Sequence, residues 1–282
     1  MGCCLYGQPV KEKGALQRAY NRIMKILCPK CQEPLSREGR SYRCVNRHTY
    51  DMARQGYINI SPKQKPSGDA RESEKARTVF LEQGYYDFLR DAICRLIEQD
   101  HPESLLDIGC GEGYYTRAFA QLVPETFGMD LSKDAIQHAA GQDKKTFYMV
   151  GSIYRLPFED HSLDMVVSIF TPLPLEEVKR VLKPDGRFIV AGPGVMHHYE
   201  LKDVLYDEVR LNEEPQKTLE GFELVNQEEL KEKVHVKDPS GLLDMTPYRY
   251  RCSKEGLERV AALKDGLDVT FDFIVSEWRP AV

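Results

Sequence analysis

The chain has 282 residues, 41% of them apolar and 29% charged, with 15 Tyr and 11 Phe. That length suits one large domain or two modest ones with a real core, and it excludes a disordered chain, a collagen-like chain and a disulfide miniprotein. The net charge of −5 hides a split, because residues 1–60 carry 11 Lys/Arg against 4 Asp/Glu, a sum of +7, while residues 61–282 carry 28 against 40, a sum of −12.

A basic end on an acidic body suits a polyanionic partner, or it is a plain solvated face. No apolar run reaches a membrane span, and residues 1–24 lack the apolar stretch of a secretion signal, so a cytoplasmic protein with no membrane partner is expected. Met1-Gly2-Cys3-Cys4 opens like an acylation signal, but Tyr6 stands where Ser or Thr is needed. Of the eight cysteines, three cluster between 28 and 44, a usage that in a reducing compartment favours metal over disulfide.

In chain order, residues 1–27 form an extension whose stretch 11–27 reads as a short basic helix. Residues 28–62 are compact and rich in Cys, Gly and Tyr. The Pro/Gly-containing stretch Ser61 to Gly68 is the first boundary. Residues 63–103 are linker and helix, with an apolar stripe through Phe80, Leu81, Phe88, Leu89, Ile93 and Leu96 between 70 and 100. From 104 to 282 short apolar runs alternate with helices. Strands are expected at Ser104–Ile108, Phe127–Asp130, Phe147–Val150, Leu163–Phe170 and Arg187–Ala191, with a helix from Tyr115 to Leu122. Further strands are expected near 247–252 and 269–278. This alternation implies βαβ units and a mostly parallel α/β sheet.

Two constellations carry chemistry. Cys28-Pro29-Lys30-Cys31 is followed by Cys44 and His48, two closely spaced pairs that can aim three thiolates and an imidazole at one Zn2+. Four protein ligands make a structural site, and metal would supply folding energy to a segment too short for a core. The bland alternatives are chance placement or a redox C-x2-C pair. Around it lie Lys30, Arg37, Arg40, Arg43, Arg47 and Arg54 with Tyr42, Tyr50 and Tyr57 interleaved, an RNA-binding composition or a docking module.

The second constellation is Asp107-Ile108-Gly109-Cys110-Gly111-Glu112-Gly113, where a strand ends in a Gly-rich turn that opens a helix. The acid before the glycines favours a cation over a phosphate. The turn is similar to that of class I S-adenosylmethionine (SAM) methyltransferases, with their Rossmann-like sheet. That similarity implies that Asp107 faces the methionine ammonium and that Gly109, Gly111, Glu112 and Gly113 wrap the ligand. It also implies that Asp130 binds ribose hydroxyls and that Ser152 and Ile153 hold adenine. Ser168-Ile169-Phe170-Thr171-Pro172 lacks the Cys of C5 methylation and the Asp or Asn of exocyclic-amine methylation. A ring nitrogen, a 2′-hydroxyl or a small molecule is left as acceptor.

The chain resembles the bacterial 23S rRNA (guanine-N1)-methyltransferases, the zinc-containing large-subunit rRNA methyltransferase A family. The resemblance rests on Cys28 to Cys31, Arg43 to His48, Asp51 to Asn59, Asp107 to Thr116 and Met245-Thr246-Pro247. It implies zinc on Cys28, Cys31, Cys44 and His48, and SAM contacts from Tyr86, Gly111, Glu112 and His197. It further implies a homodimer whose zinc modules flank a cleft for 23S rRNA, with methylation at N1 of a hairpin guanine. The residues alone would make Tyr86 a core side chain and His197 a surface one. A small-molecule methyltransferase with a docking zinc module, and a SAM-retaining RNA-binding regulator, are the competing functions. The catalytic base is not assigned.

Overall fold

The computed structural model describes residues 26–61 and 68–281. The basic helix expected over 11–27 and the linker after Ser61 lie almost wholly outside the described residues. Strands β1 (Ser36–Glu38), β2 (Ser41–Arg43) and β3 (Thr49–Asp51) make a small antiparallel sheet. The chain then contributes β4 (Ile58–Asn59) to a second, larger sheet.

That sheet holds eight strands in the order β10-β11-β9-β8-β5-β6-β7-β4. The parallel set is β5 (Ser104–Ile108), β6 (Glu125–Asp130), β7 (Phe147–Val150), β8 (Leu163–Ile169) and β9 (Leu182–Pro193), with β4 added beside β7. Strands β10 (Phe222–Val236) and β11 (Leu267–Pro280) extend it antiparallel. Every residue of β5 is buried, as expected for a parallel strand covered on both faces. Leu105 joins one apolar cluster while Leu106 and Ile108 join the other, the alternation that a pleated strand imposes. One face carries α1 (Gly68–Leu81), α2 (Asp87–Asp100) and α3 (Tyr114–Phe119); α4 is Lys133–Gln142, α5 Leu175–Val181, α6 Tyr199–Leu205, α7 Pro239–Asp244 and α8 Lys254–Ala261.

The boundary expected at residue 62 divides the chain but not the core. Ile26, Leu35, Tyr42, Ile58 and Ile60 belong to the same cluster as Leu106, Phe127, Met149 and Trp278. Tyr42 meets Phe147 edge to face at 5.4 Å. The helical pattern of 70–100 is two helices, broken across Glu82 to Tyr86. The strand expected at 247–252 is instead a 3-10 turn, Pro247–Tyr250, opened by a proline that cannot donate to a ladder. The sequence gives no signal for β10, because Glu223, Glu228, Glu229, Lys231, Glu232 and Lys233 leave it little apolar alternation. It owes its existence to edge pairing with β11 along almost its whole length, interrupted at Val225, not to its own burial.

Candidate functional site

The zinc ligands converge. Cys28 Sγ and Cys44 Sγ each lie 3.5 Å from His48 Nδ1, and Cys31 Sγ lies 3.6 Å from Cys44 Sγ. All four donor atoms fall within 4.8 Å of one another. Zinc bonds of about 2.3 Å to sulfur and about 2.0 Å to nitrogen, set tetrahedrally, place such donors about 3.5–3.8 Å apart. The residues therefore fit a closed Cys3His centre. Burial opposes ionisation of Cys28, but the Tyr50 hydroxyl at 3.3 Å and nearby backbone N–H groups bring its thiol down to about 6. Tyr42, Tyr50 and Tyr57, expected among the stacking candidates, are committed elsewhere. Tyr42 and Tyr57 are buried, and Tyr50 bonds the ligand Cys28. The six basic side chains are exposed, and Arg43 is paired to Glu38 at 3.1 Å.

At the carboxyl ends of the parallel strands a cleft of about 1070 Å³ opens. It brings together Tyr86, Asp107, Gly109, Gly111, Glu112, Asp130 and His197, contributed by four different stretches of the chain. Gly109 has φ +70, and a Cβ there would sit 2.2 Å from Thr171 Oγ1, so only glycine lets the β5 and β8 loops meet. Asp107 is buried and accepts from Thr116 Oγ1 at 2.6 Å. Burial, with the charges of Asp130 and Glu112 adding, pushes its carboxyl up to about 7 despite that bond. Burial also raises Glu112, whose Oε2 has no hydrogen-bond partner. Two buried acids, one with an orphaned oxygen, fit a cationic ligand such as the SAM ammonium. Asp130 receives the N–H groups of Gly111 at 3.0 Å and Ser132 at 2.7 Å, which fix its carboxylate at the end of β6.

Three expected residues lie off the cleft lining. Gly113 caps α3, and a Cβ there would come 2.7 Å from Tyr148 Oη and 2.9 Å from Ala139 Cβ, so it is needed for helix-on-strand packing. Ser152 accepts from the Tyr154 N–H, and Ile153 is buried in the lower core.

An aromatic wall closes the side over β11. Tyr86 is buried, with edge contacts to Phe271 at 5.1 Å and Phe273 at 4.8 Å, and its hydroxyl lies 3.0 Å from His198 Nε2. His197, expected at the surface from the residues alone, is also buried and stacks on His198 at 3.7 Å. Burial and the Lys202 charge drive His197 down to about 3, and burial drives His198 well below its usual value.

Sequence reasoning missed part of the cleft lining. Residues 211–216, which include Glu213 and Glu214, line the cleft, as do Gln227 of the unexpected β10 and Ser276 and Trp278 of β11. Asn212 pins this loop by donating to the Gly194 carbonyl and accepting from Lys202, each at 2.7 Å. Arg77 of α1 also lines the cleft. None of these stands in a motif, so only the fold could place them.

Residues 106–190 match a family described as a methyltransferase domain, and residues 26–67 match the zinc ribbon family described as "RlmA, N-terminal". The 23S rRNA (guanine(748)-N(1))-methyltransferase of Streptomyces fradiae is 30% identical over 278 residues, covering 92% of this chain and 98% of that protein. YxjB of Bacillus subtilis (strain 168), whose name assigns it guanine-N1 methylation of 23S rRNA provisionally, is 37% identical over 193 residues, covering 64% of this chain and 68% of that protein. A ribbon and a SAM-type cleft in one core, aligned nearly end to end with such a relative, place this chain in the 23S rRNA (guanine-N1)-methyltransferase family.

Proposed function

We propose that this protein transfers the methyl group of SAM to N1 of a guanine in a hairpin of 23S rRNA. One observation carries the reading: a Cys3His ribbon with an exposed basic surface is built into the same core as a cleft lined by acids suited to a sulfonium cofactor. Bound SAM would supply an activated methyl. The chain's own part is chiefly positioning, which can lower a barrier by several kcal/mol. Asp107 and Glu112 hold the cationic methionine end, Gly109 and Gly111 let it approach the backbone, and Asp130 holds the ribose. Tyr86 and His197 form the wall against which it rests, while Ser152 and Ile153 bound the adenine side from behind the lining. Guanine N1 sheds a proton as the methyl arrives, and the carboxylates of Glu213 and Glu214 also line the cleft.

The division of labour follows the chain. Residues 28–62 grip RNA, 63–103 connect, and 104–282 perform the transfer. The family resemblance supports a homodimer with RNA between two ribbons, and the rRNA substrate puts the work in the cytoplasm. The test is incubation of purified protein with labelled SAM and unmodified 23S rRNA, followed by mapping. N1 methylation removes a Watson–Crick donor, so reverse transcription should stop beside one guanine. Label in small metabolites but not in rRNA would overturn the reading.

A further inference from the structure

Phe170 is the odd member of the cleft. It follows β8 with φ +54, a region that a bulky side chain enters only at a cost. Its N–H donates to the Ala191 carbonyl at 2.9 Å, and Thr171 Oγ1 donates to the Ile169 carbonyl at 3.2 Å. Thr171 is also wedged over Gly109. The neighbours thus hold the strained turn in place. Burial does not repay the strain, because Phe170 is 45% exposed, whereas Tyr86, Tyr115 and Trp278 in the same cleft are buried. Its ring rests beside His197 at 6.2 Å, tilted by 31°, and against the edge of Phe273 at 5.7 Å. An aromatic ring is therefore backed by other rings and held with much of its surface open.

The sheet order says what that surface faces. β5, which carries the glycine loop, pairs with β6 on one side and β8 on the other. A ligand with its ribose at Asp130, the last residue of β6, and its methionine at the glycine loop would offer its methyl on the β8 side. Phe170 stands there. We propose that Phe170 is the platform on which the acceptor guanine stacks after leaving its RNA helix, an inference that rests on the guanine-N1 reaction proposed above. Stacking fixes the plane of the base, and N1 lies in that plane, so the attacking nitrogen is aimed along it.

The test uses the full chain, a 23S rRNA hairpin transcript and labelled SAM, with Phe170→Ala, Phe170→Gly and Phe170→Tyr. Phe170→Ala and Phe170→Gly should lower kcat/KM for RNA roughly tenfold or more, the size of one lost base stack. SAM affinity by calorimetry should stay within about twofold of wild type, and Phe170→Tyr should recover most of the activity. Phe170→Gly removes the backbone strain, so it should melt no lower than Phe170→Ala while remaining as inactive. Wild-type rates in Phe170→Ala or Phe170→Gly, or a loss matched by an equal loss of SAM affinity, overturn the platform alone. A wild-type protein that leaves guanine N1 unmodified overturns the reaction and takes the platform with it.

Discussion

The backbone N–H of Asp272 donates to Nδ1 of His197 across 3.3 Å. That bond decides the tautomer. With Nδ1 accepting, the proton of the neutral ring sits on Nε2, and His197 meets the cleft as a donor. A histidine held down to about 3 is no base at neutral pH. It can hold a ligand oxygen in place but cannot take the guanine proton.

His197→Gln should therefore keep most SAM affinity, because an amide can still donate, while His197→Ala should weaken it by roughly fivefold to tenfold, the worth of one hydrogen bond. Between pH 5.5 and 8.5 the ratio of either variant to wild type should be flat in calorimetry. A ratio that bends near pH 6.5 would mean that His197 titrates in this range, and the tautomer argument would fail.

Asp107 carries the opposite sign. Its carboxyl is raised from 3.8 to about 7 in the folded chain. The fold therefore holds this proton more tightly than the unfolded chain does, and the resulting stability is complete below about pH 4 and lost as pH rises through 7. Without ligand, wild type should lose melting temperature relative to Asp107→Asn between pH 5 and 8. Over the same interval wild-type affinity for SAM should rise, since the ammonium binds the ionised acid. Asp107→Asn should bind SAM at least tenfold more weakly at pH 8 and show neither trend. Equal affinity for SAM at pH 8 would remove Asp107 from the site.

Local signals made part of this legible. The zinc ligands and the glycine turn are short-range patterns whose spacing fixes their geometry, and Ser104–Ile108 and Phe147–Val150 are strands at the expected residues. Tertiary context decided the rest. His197 lies just beyond β9 and looks like a surface residue until β11 covers it. β10 has no apolar rhythm of its own. Tyr57 resembles a stacking aromatic, but it packs with Cys110, Ile136 and Tyr148. Phe170 reads as the last residue of the Leu163–Phe170 strand, but β8 ends at Ile169 and Phe170 turns out of it with a positive φ, which no local apolar pattern signals.

The ribbon is fused to the transferase by its last strand. Ile58 is fully buried and pairs with Met149, while Ile60 shares the same cluster. Ile58→Ala should cost about 2–4 kcal/mol in denaturant unfolding, as buried truncations do. A chain beginning near Lys63 should bind SAM only after losing several degrees of melting temperature, because it bares the edge of β7. Metal analysis should give one zinc per chain, and Cys44→Ser should lower both zinc content and melting temperature. A chain from Lys63 that melts as wild type does would mean the ribbon is an independent appendage.

The basic ribbon predicts a salt signature. Residues 1–60 sum to +7 against −12 for the remainder, and residues 28–60 carry six Lys/Arg against three Asp/Glu, so RNA affinity should reside at this end of the chain and SAM affinity should not. The exposed arginines differ in what they already hold. Arg43 is engaged with Glu38 at 3.1 Å and with Thr49 at 3.2 Å, whereas Arg40 and Arg47 stand at the two turns that flank β2. Each phosphate contact contributes roughly one unit to the slope of log affinity against log salt. Arg40→Glu and Arg47→Glu should each flatten that slope by about one unit and weaken hairpin binding at low salt, with SAM calorimetry unchanged. Arg43→Glu should do less to the slope than either, because its charge is partly spent on Glu38, and should also lower melting slightly by setting two acids side by side. Filter binding across a salt series decides it. Three variants with wild-type slopes would make the ribbon's charge a solvated face, and the RNA would have to be held by the acidic body instead.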